Sequence, residues 1–501
     1  MLFNSPAFIF VFLPVVFAGF YIIAQQRWRW ATAWLACASI WFYAWWNVAF
    51  LPILIGSILV NYAVSVAILR SVDSHERRAD WILAGGILAN ISLLFTFKYL
   101  VASLALVTWV VPSWKTDLSF TLPLGISFFT FTQIGFLVDC RQGMATERNF
   151  VRYVLFVTFF PHLIAGPILH HREMMPQFSD ERNYRFDVRN VSVGLTLFVM
   201  GFFKKVIVAD TIATFANVGF SDPGSLSAFG AWEAVLAYSL QLYFDFSGYS
   251  DMAIGLARMF GVRFPLNFNS PYKSASIIEF WQRWHMTLSR YLTLYIYNPL
   301  TLWVTRRRAA LGKKDRRGAS TMSGFVSLVA FPLLTTMVLA GVWHGAGFQF
   351  LIFGALHGLY LTVNHAWRVF GPKRLNEELK PIYVLVTYIA IAVSWVFFRS
   401  NSTSAATLML TSMMGANGLG LTNNWADLMI VVLLAVAWTM PNSQQILAAF
   451  EPALGKIQQS EFGLLRWRPD WIWAVGMGTV FGIGLAVMFG GGESQFLYFR
   501  F

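Results

Sequence analysis

Long apolar stretches recur along this 501-residue chain, and they constrain its fold more than any other feature. A run of about 20 apolar residues can cross the ~30 Å hydrocarbon core of a bilayer as one helix. Such runs include residues 6–24, 48–69, 191–218, 323–344 and 471–490. The chain is 57% hydrophobic and only 12% charged, whereas soluble domains carry about 25% charged residues. The pattern predicts an all-α, polytopic integral membrane protein with about 11–13 transmembrane or re-entrant helices.

Several of these segments are interrupted by proline and glycine. Leu-Pro-Leu-Gly opens one at 122–125, and Phe-Pro-His-Leu-Ile-Ala-Gly-Pro divides another at 160–167. Irregular backbone at membrane depth is stable only when it is buried in protein or lines a hydrated cavity. We therefore expect the helices to surround a central cavity. Three ranges are predicted: N-terminal transmembrane helices at 1–117, a core at 118–370, and a C-terminal scaffold or partner-docking region at 371–501.

The net charge of +13 resides mainly in loops. Basic residues cluster at 70–78, 141–152, 172–189 and above all 306–317, which holds seven basic residues and one acid. The positive-inside rule places such loops in the cytoplasm, so the charge indicates membrane topology and not nucleic-acid binding. The first apolar run, followed by Arg27 and Arg29, is expected to be a retained span with its N-terminus outside. Two cysteines, Cys37 and Cys140, provide neither a disulfide framework nor a cysteine metal site.

Histidines in apolar surroundings are the candidate functional residues. His344 ends an apolar stretch within Gly-Val-Trp-His-Gly (341–345), and an ionisable group there indicates a functional site. We expect it to act as a general base or acid, because imidazole titrates near neutral pH. The alternative is a structural histidine in a tight helix crossing, since Gly341 and Gly345 have small-xxx-small spacing.

A second histidine, His285, lies in Glu-Phe-Trp-Gln-Arg-Trp-His-Met-Thr-Leu-Ser (279–289). It stands 21 residues before Arg306, and His344 stands 21 residues after Ser323, so helical rise predicts a similar depth for both imidazoles. The alternative is an interfacial aromatic belt. His357 is assigned to packing because Gly354 and Gly358 repeat the small-residue spacing. The remaining loop histidines, His162, His170 and His171, are expected to be hydrated.

Carboxylates form another cluster within 243–252, where Asp245 and Asp251 flank Tyr249. Each would be costly in lipid, so each must face a cavity or a partner. One interpretation is structural ion pairing. The other is a polar wall for an acceptor hydroxyl, and we include Trp343, Trp284, Ser289, Asp245 and Tyr249 as candidate substrate-tunnel residues. Metal-ligand spacing, a phosphate-binding glycine loop and a serine nucleophile elbow are all missing from the sequence.

Blocks along nearly the whole chain resemble the membrane-bound O-acyltransferases, and most closely their bacterial alginate O-acetyltransferase branch. They are Leu-Pro-Leu-Gly-Ile-Ser-Phe-Phe-Thr-Phe (122–131), Phe-Phe-Pro-His-Leu-Ile-Ala-Gly-Pro-Ile (159–168), Phe-Lys-Lys-Val-Ile-Val-Ala-Asp (203–210), Asp-Phe-Ser-Gly-Tyr-Ser-Asp-Met-Ala-Ile-Gly (245–255), Asn-Phe-Asn-Ser-Pro-Tyr (267–272), Phe-Trp-Gln-Arg-Trp-His-Met-Thr-Leu-Ser (280–289), Trp-His-Gly (343–345) and Phe-Leu-Tyr-Phe-Arg-Phe (496–501). The chain departs from that branch after Ser289. There the branch usually continues with Arg-Asp-Tyr and ends in Pro-Leu-Gly-Gly. This chain reads Tyr291-Leu292-Thr293-Leu294-Tyr295 instead and ends in Pro299-Leu300-Thr301-Leu302.

The resemblance implies that His344 is catalytic and that His285 is the second essential polar residue. It further implies an acyltransferase of the bacterial inner membrane that uses no permanently bound cofactor. Acetyl-CoA is the expected donor, and an exported polysaccharide is the expected final acceptor, reached through a periplasmic serine-esterase-like (SGNH) partner. Two other functions stay open: a polysaccharide or lipid-linked transporter with proton-relay histidines, and a di-histidine haem protein.

Overall fold

The computed structural model describes residues 1–72, 76–104, 121–313, 318–372, 377–421, 425–491 and 494–497. Parts of the predicted apolar segment 81–112, the basic run 306–317, the loop 415–424 and the final block 496–501 lie outside the described residues. Within them the secondary structure is helical and no strand is found. The all-α class predicted from the sequence is therefore confirmed.

The α-helices of the described residues are numbered in chain order. In chain order they are α1 (Leu13–Gln26), α2 (Trp28–Ala44), α3 (Leu51–Ser71), α4 (Glu76–Lys98), α5 (Ile126–Arg141), α6 (Phe150–Thr158), α7 (His171–Ser179), α8 (Val188–Phe203), α9 (Asp210–Ser221), α10 (Ala228–Met259), α11 (Ile277–Arg283), α12 (Met286–Leu292), α13 (Asn298–Ala310), α14 (Met322–Phe325), α15 (Phe331–His344), α16 (Phe348–Phe370), α17 (Lys380–Arg399), α18 (Thr403–Met413), α19 (Trp425–Thr439), α20 (Ser443–Ile446) and α21 (Trp471–Gly491).

Seven helical segments of the described chain are long and apolar enough to cross a membrane: Phe8–Gln26, Val48–Ser71, Glu76–Lys98, Val188–Ser221, Met322–His344, Glu377–Arg399 and Trp471–Gly491. One shorter apolar helix, Trp425–Thr439, is also present in the described chain. The chain is thus a multi-pass membrane protein.

Proline explains where several helices widen into π-helical turns. Such turns occupy Thr293–Tyr297 and Val326–Ala330, and they come just before the pairs Asn298-Pro299 and Phe331-Pro332. Proline has no N–H to donate to the carbonyl four residues earlier, so the hydrogen-bond ladder must be rearranged near it. The two segments flanking the basic run therefore share the same distortion.

Contacts divide the chain into two compact units. The first comprises Met1–Val206, Gly248–Leu266 and Ser443–Arg500, and the second contains Ile207–Ser247 and Asn267–Asn442. Both units are discontinuous in sequence. The division of the chain into the ranges 1–117, 118–370 and 371–501 stays a prediction.

The interrupted segment at 159–169 belongs to the first unit, where every one of its residues is buried. Gly125 adopts a positive φ of 70° where a Cβ atom would lie 2.7 Å from the Leu163 carbonyl oxygen, so only glycine fits this approach. His162 is 2% exposed and donates from Nε2 to the Phe156 carbonyl at 2.9 Å. The expectation that His162 is hydrated is wrong, because the irregular backbone is packed inside protein and supplies its hydrogen-bond partner.

Candidate active site

His344 is the last residue of α15, in the second unit, and is buried. Its ring contacts the rings of Trp343, Phe353 and Phe398 at centroid distances of 4.8, 6.0 and 5.1 Å. A Cβ atom on Gly341 would lie 2.9 Å from the Gly354 Cα, which confirms that the small residues allow close backbone approach. The histidine thus ends a helix that is packed tightly against α16.

The chain breaks its helix directly after His344. Gly345 is extended, with φ −170° and ψ 165°, and α16 begins at Phe348. A Cβ atom at Gly345 would overlap the Phe350 ring, so glycine is required there for packing. Because the helix is discontinuous, His344 and His357 lie on two different helices, α15 and α16.

His285, also in the second unit, is 1% exposed and precedes the first residue of α12. Its backbone lies in the left-handed region, with φ 42° and ψ 50°. A non-glycine residue there costs about 1–2 kcal/mol, and strained backbone of this kind concentrates at functional sites. The conformation directs the ring toward Phe246, whose centroid lies 4.8 Å away.

Asn267 determines which nitrogen of His285 carries the proton. The Nδ1 atom of His285 lies 3.0 Å from the Asn267 Oδ1 atom. The same oxygen accepts from the Thr287 hydroxyl at 2.8 Å and from the Thr287 backbone N–H at 3.4 Å. A backbone N–H can only donate, which fixes this side-chain atom as the amide oxygen. An amide oxygen can only accept, so Nδ1 of neutral His285 bears the hydrogen and Nε2 carries the lone pair.

Aromatic rings link the surroundings of the two histidines. Phe353, in contact with His344, stacks on Trp395 at 5.4 Å, and Trp395 lies 5.1 Å from Trp284, the neighbour of His285 in sequence. All these residues belong to the second unit. The structure therefore places Trp343, Trp284 and both histidines in one aromatic cluster. A dry environment of this kind strengthens electrostatic interactions inside it.

His357 has both ring nitrogens hydrogen-bonded. Trp281 Nε1 donates to His357 Nδ1 at 3.2 Å, so Nε2 carries the hydrogen and points to Ser394 Oγ at 2.8 Å. The Ser394 hydroxyl in turn donates to the Ile391 carbonyl at 2.7 Å. Every proton in this chain of bonds is accounted for, as expected for the packing role assigned to His357.

The other predicted residues occupy different environments. Ser289 is half-buried and donates weakly to the Trp284 carbonyl at 3.5 Å, and Asp245 is 2% exposed in the second unit. Tyr249 belongs to the first unit, where its ring lies 4.8 Å from Phe3 and 4.6 Å from Phe496. The structure thus groups Trp343 and Trp284 with the histidines, whereas Tyr249 belongs to the other unit.

Asp251 is a structural residue of the first unit. Its Oδ2 atom lies 2.7 Å from Lys204 Nζ and accepts from the Ser443 hydroxyl at 2.7 Å, while Gln444 Nε2 donates to Oδ1. The carboxylate is 1% exposed. This arrangement confirms structural ion pairing for Asp251, since a buried charge is stable only when paired and hydrogen-bonded.

One group in the described chain has side chains placed as metal ligands are. Asp139 Oδ2 lies 3.1 Å from His170 Nε2 and 3.0 Å from His171 Nδ1, while His171 Nε2 is 3.2 Å from the Met144 carbonyl. These are ordinary hydrogen-bond distances. His171 is only 5% exposed, so the expectation of hydration is wrong for it as well, because the Asp139 carboxylate and Met144 replace water.

Asn267 was not identified from the sequence as a site residue. It is part of the Asn-Phe-Asn-Ser-Pro-Tyr block at 267–272, but its role depends on a contact across 18 residues. An amide between apolar residues was the available signal. Its partner could not be inferred, because the left-handed turn at His285 has no glycine to mark it.

Comparison with known proteins identifies the family. The sequence pattern of the membrane-bound O-acyltransferases matches residues 141–313, a range that includes His285 and ends before His344. The chain is 37% identical to a peptidoglycan O-acetyltransferase of Helicobacter pylori over 100% of this chain and 98% of that protein. It is also 37% identical to a probable alginate O-acetylase, AlgI, of Pseudomonas aeruginosa, over 82% of this chain and 75% of the relative.

A more distant relative is a teichoic acid D-alanyltransferase of Bacillus subtilis, 28% identical over 55% of this chain and 66% of that protein. The full-length match and the family pattern agree with the all-helical, multi-pass fold. The chain belongs to the membrane-bound O-acyltransferase family.

Proposed function

We propose that this protein transfers an acetyl group from a cytoplasmic thioester to a hydroxyl group, for O-acetylation of an exported glycan. The observation that carries the proposal is the pair of buried histidines in one aromatic cluster, one ending α15 and the other held by Asn267. Family membership supports acyl transfer as the reaction class. The names of the relatives support a glycan acceptor, either peptidoglycan or an alginate-type polysaccharide.

The chemistry requires a base at the attacking hydroxyl. A hydroxyl oxygen attacks the thioester carbonyl carbon, its proton passes to the His344 imidazole, and a tetrahedral intermediate forms. The carbon–sulfur bond then breaks, and the imidazolium returns the proton to the departing thiolate. An ester and a free thiol are the products. The surrounding rings exclude water, which would compete as the nucleophile.

His285 assists this step through Nε2. The hydrogen on Nδ1 is directed to Asn267, so neutral His285 can accept a hydrogen bond at Nε2 but has no second hydrogen to donate to a carbonyl oxygen. The Asn267 contact therefore supports a role in orienting the attacking hydroxyl or the His344 imidazole. It argues against a role in which neutral His285 polarises the thioester carbonyl by donating a hydrogen bond to it.

The donor and the partner follow from the same proposal. Acetyl-CoA is the proposed donor, and a periplasmic serine-esterase-like (SGNH) protein is the proposed carrier to the glycan. The protein would then operate in the bacterial inner membrane, with donor and acceptor on opposite sides. Peptidoglycan is the first acceptor to test, because the relative with that name matches the chain from end to end.

The test compares His344→Ala with His357→Ala in cells lacking the native protein. Ester-linked acetate on isolated glycan is measured by alkaline release and divided by the amount of protein in the membrane. His344→Ala should lower normalised acetate by at least a hundredfold. His357→Ala should lower protein abundance, because it leaves Trp281 Nε1 without its acceptor, while acetate per protein stays within threefold. Wild-type acetate in His344→Ala would refute the proposed base.

A further inference from the structure

A second polar site is built from residues of the first unit. A cavity of about 460 Å³ is lined by residues of the 176–190 segment, the end of α10 with its following turn, and Glu451. Four of the lining residues are arginines: Arg182, Arg189, Arg258 and Arg263. A cavity of this size can hold a small ligand, and guanidinium groups are the side chains that best match phosphate oxygens.

Two of the four arginines are neutralised within the cavity wall. Arg263 Nη1 lies 2.7 Å from the Glu451 carboxylate. Arg182 forms a bidentate ion pair with Asp180, in which Nη2 lies 2.7 Å from Oδ2. Three carboxylates line the cavity, those of Asp180, Asp187 and Glu451, so its four arginines exceed its acids by one.

Arg258 is the unusual member of the set. It is 3% exposed, and its Nε atom has no hydrogen-bond partner, while Nη2 reaches only the Phe450 carbonyl at 3.5 Å. Arg189 lies beside it, with its guanidinium 5.2 Å above the Phe450 ring. Neither Arg258 nor Arg189 forms an ion pair with a carboxylate of the described residues. The carboxylates of Asp187 and Glu451 act on the Arg258 charge from a distance, but they leave its Nε donor unsatisfied. A buried donor without an acceptor is unfavourable, and an anion oxygen in this cavity would supply the acceptor.

The contacts of the lining segment place the cavity near a connection that is expected to face the cytoplasm, where lipid headgroups and cytoplasmic anions are available. Tyr184 of the lining segment packs 5.3 Å from Trp28 and its hydroxyl lies 2.7 Å from Thr32 Oγ1, at the start of α2. Tyr21 near the end of α1 donates to the Met259 carbonyl at 2.7 Å. The cavity therefore lies at the α1–α2 connection, which carries Arg27 and Arg29 and is expected to face the cytoplasm.

We propose that this cavity is a binding site for a phosphate-bearing anion, held by Arg258 and Arg189. The shared chemistry is a phosphate monoester or diester that accepts hydrogen bonds from Arg258 Nε and the two guanidinium forks. Two sources offer it on that face: the headgroup of an anionic phospholipid and the phosphates of a nucleotide such as coenzyme A. The site uses none of the residues proposed for the acyl-transfer chemistry, since all of its lining residues belong to the first unit.

The test uses the full-length protein purified in neutral detergent. Its unfolding midpoint is followed by tryptophan fluorescence while inorganic pyrophosphate, phosphatidylglycerol in mixed micelles, or coenzyme A is titrated. Phosphatidylcholine serves as the matched lipid without net charge. We expect a saturable rise of the unfolding midpoint with pyrophosphate and with at least one of the two larger anions. The rise should be smaller at about 0.5 M salt than at about 0.05 M salt, two concentrations on either side of physiological ionic strength. If phosphatidylglycerol raises the midpoint and coenzyme A does not, the cavity binds a lipid headgroup. If coenzyme A raises it and phosphatidylglycerol does not, the cavity binds a nucleotide.

Variants separate a binding site from general positive charge. Arg258→Gln should raise the apparent Kd of the active anion at least tenfold. Arg29→Gln removes one exposed charge near the same connection and should change it less than twofold. If Arg258→Gln fails to fold, Arg189→Gln is held to the same tenfold criterion, since this side chain is exposed. The proposal is overturned if no anion shifts the wild-type midpoint, or if the arginine variants bind as the wild type does.

Discussion

Asn267→Ala tests whether the tautomer of His285 matters for catalysis. The substitution removes one oxygen that accepts from His285 Nδ1 at 3.0 Å and from Thr287 at 2.8 and 3.4 Å. Leaving a buried donor without an acceptor costs about 1–3 kcal/mol. With two side-chain donors affected, we expect a stability loss of about 2–6 kcal/mol.

The effect on rate is calculated separately from the effect on stability. Without Asn267 the hydrogen can reside on either ring nitrogen and the ring can rotate, so the reactive arrangement is one of several. A loss of about 1–2 kcal/mol in positioning corresponds to a rate lower by about 5–30-fold. Removing the imidazole in His285→Ala should cost more, about 10²–10⁴-fold. We therefore expect the rate to decrease from the wild type to Asn267→Ala and from Asn267→Ala to His285→Ala.

The assay measures glycan-linked acetate per folded protein, with folded protein quantified by size-exclusion chromatography in detergent. Thr287→Val is the matched control, because it removes the 2.8 Å hydroxyl donor and leaves the His285–Asn267 contact in place. It should lower stability by about 1 kcal/mol and leave the rate within threefold. A wild-type rate per folded protein in Asn267→Ala would refute the tautomer argument. So would a rate in Thr287→Val as low as in Asn267→Ala.

Two further predictions concern stability and sidedness. Asp251→Ala breaks a buried ion pair and should cost about 3–5 kcal/mol in unfolding free energy. Asp80→Ala, whose carboxylate is 60% exposed, should cost less than about 1 kcal/mol in the same denaturation experiment; equal losses would contradict the burial argument. Ser320→Cys, placed beside the basic run in a protein whose exposed Cys37 has been replaced by alanine, should react with a membrane-impermeant maleimide only after cells are opened. Labelling in intact cells would reverse the proposed direction of acyl transfer.

The sequence predicted the fold well because its signal is additive along the chain. Apolar length predicts membrane helices without knowledge of their neighbours, and Gly341 with Gly345 predicted a close approach that Gly354 provides. The hydration of His162 was predicted wrongly from its Pro-containing loop. A loop normally lies at the surface, but in this chain residues 159–169 are all buried, and the sequence does not show that the Phe156 carbonyl replaces water.

Contacts between distant residues explain what the sequence could not supply. Asn267 and His285 are separated by 18 residues and meet because His285 itself, not a glycine, adopts the left-handed turn. Arg258 is a similar case, because the sequence does not distinguish it from the other arginines of a basic chain. Only its burial and its unpartnered Nε in the structure do so. Both features lower the stability of the isolated protein, one through backbone strain and the other through a buried donor without an acceptor. Selection tolerates such losses where they serve function. A residue whose environment is unfavourable without a ligand or a reaction is therefore a stronger indicator of function here than a residue type alone.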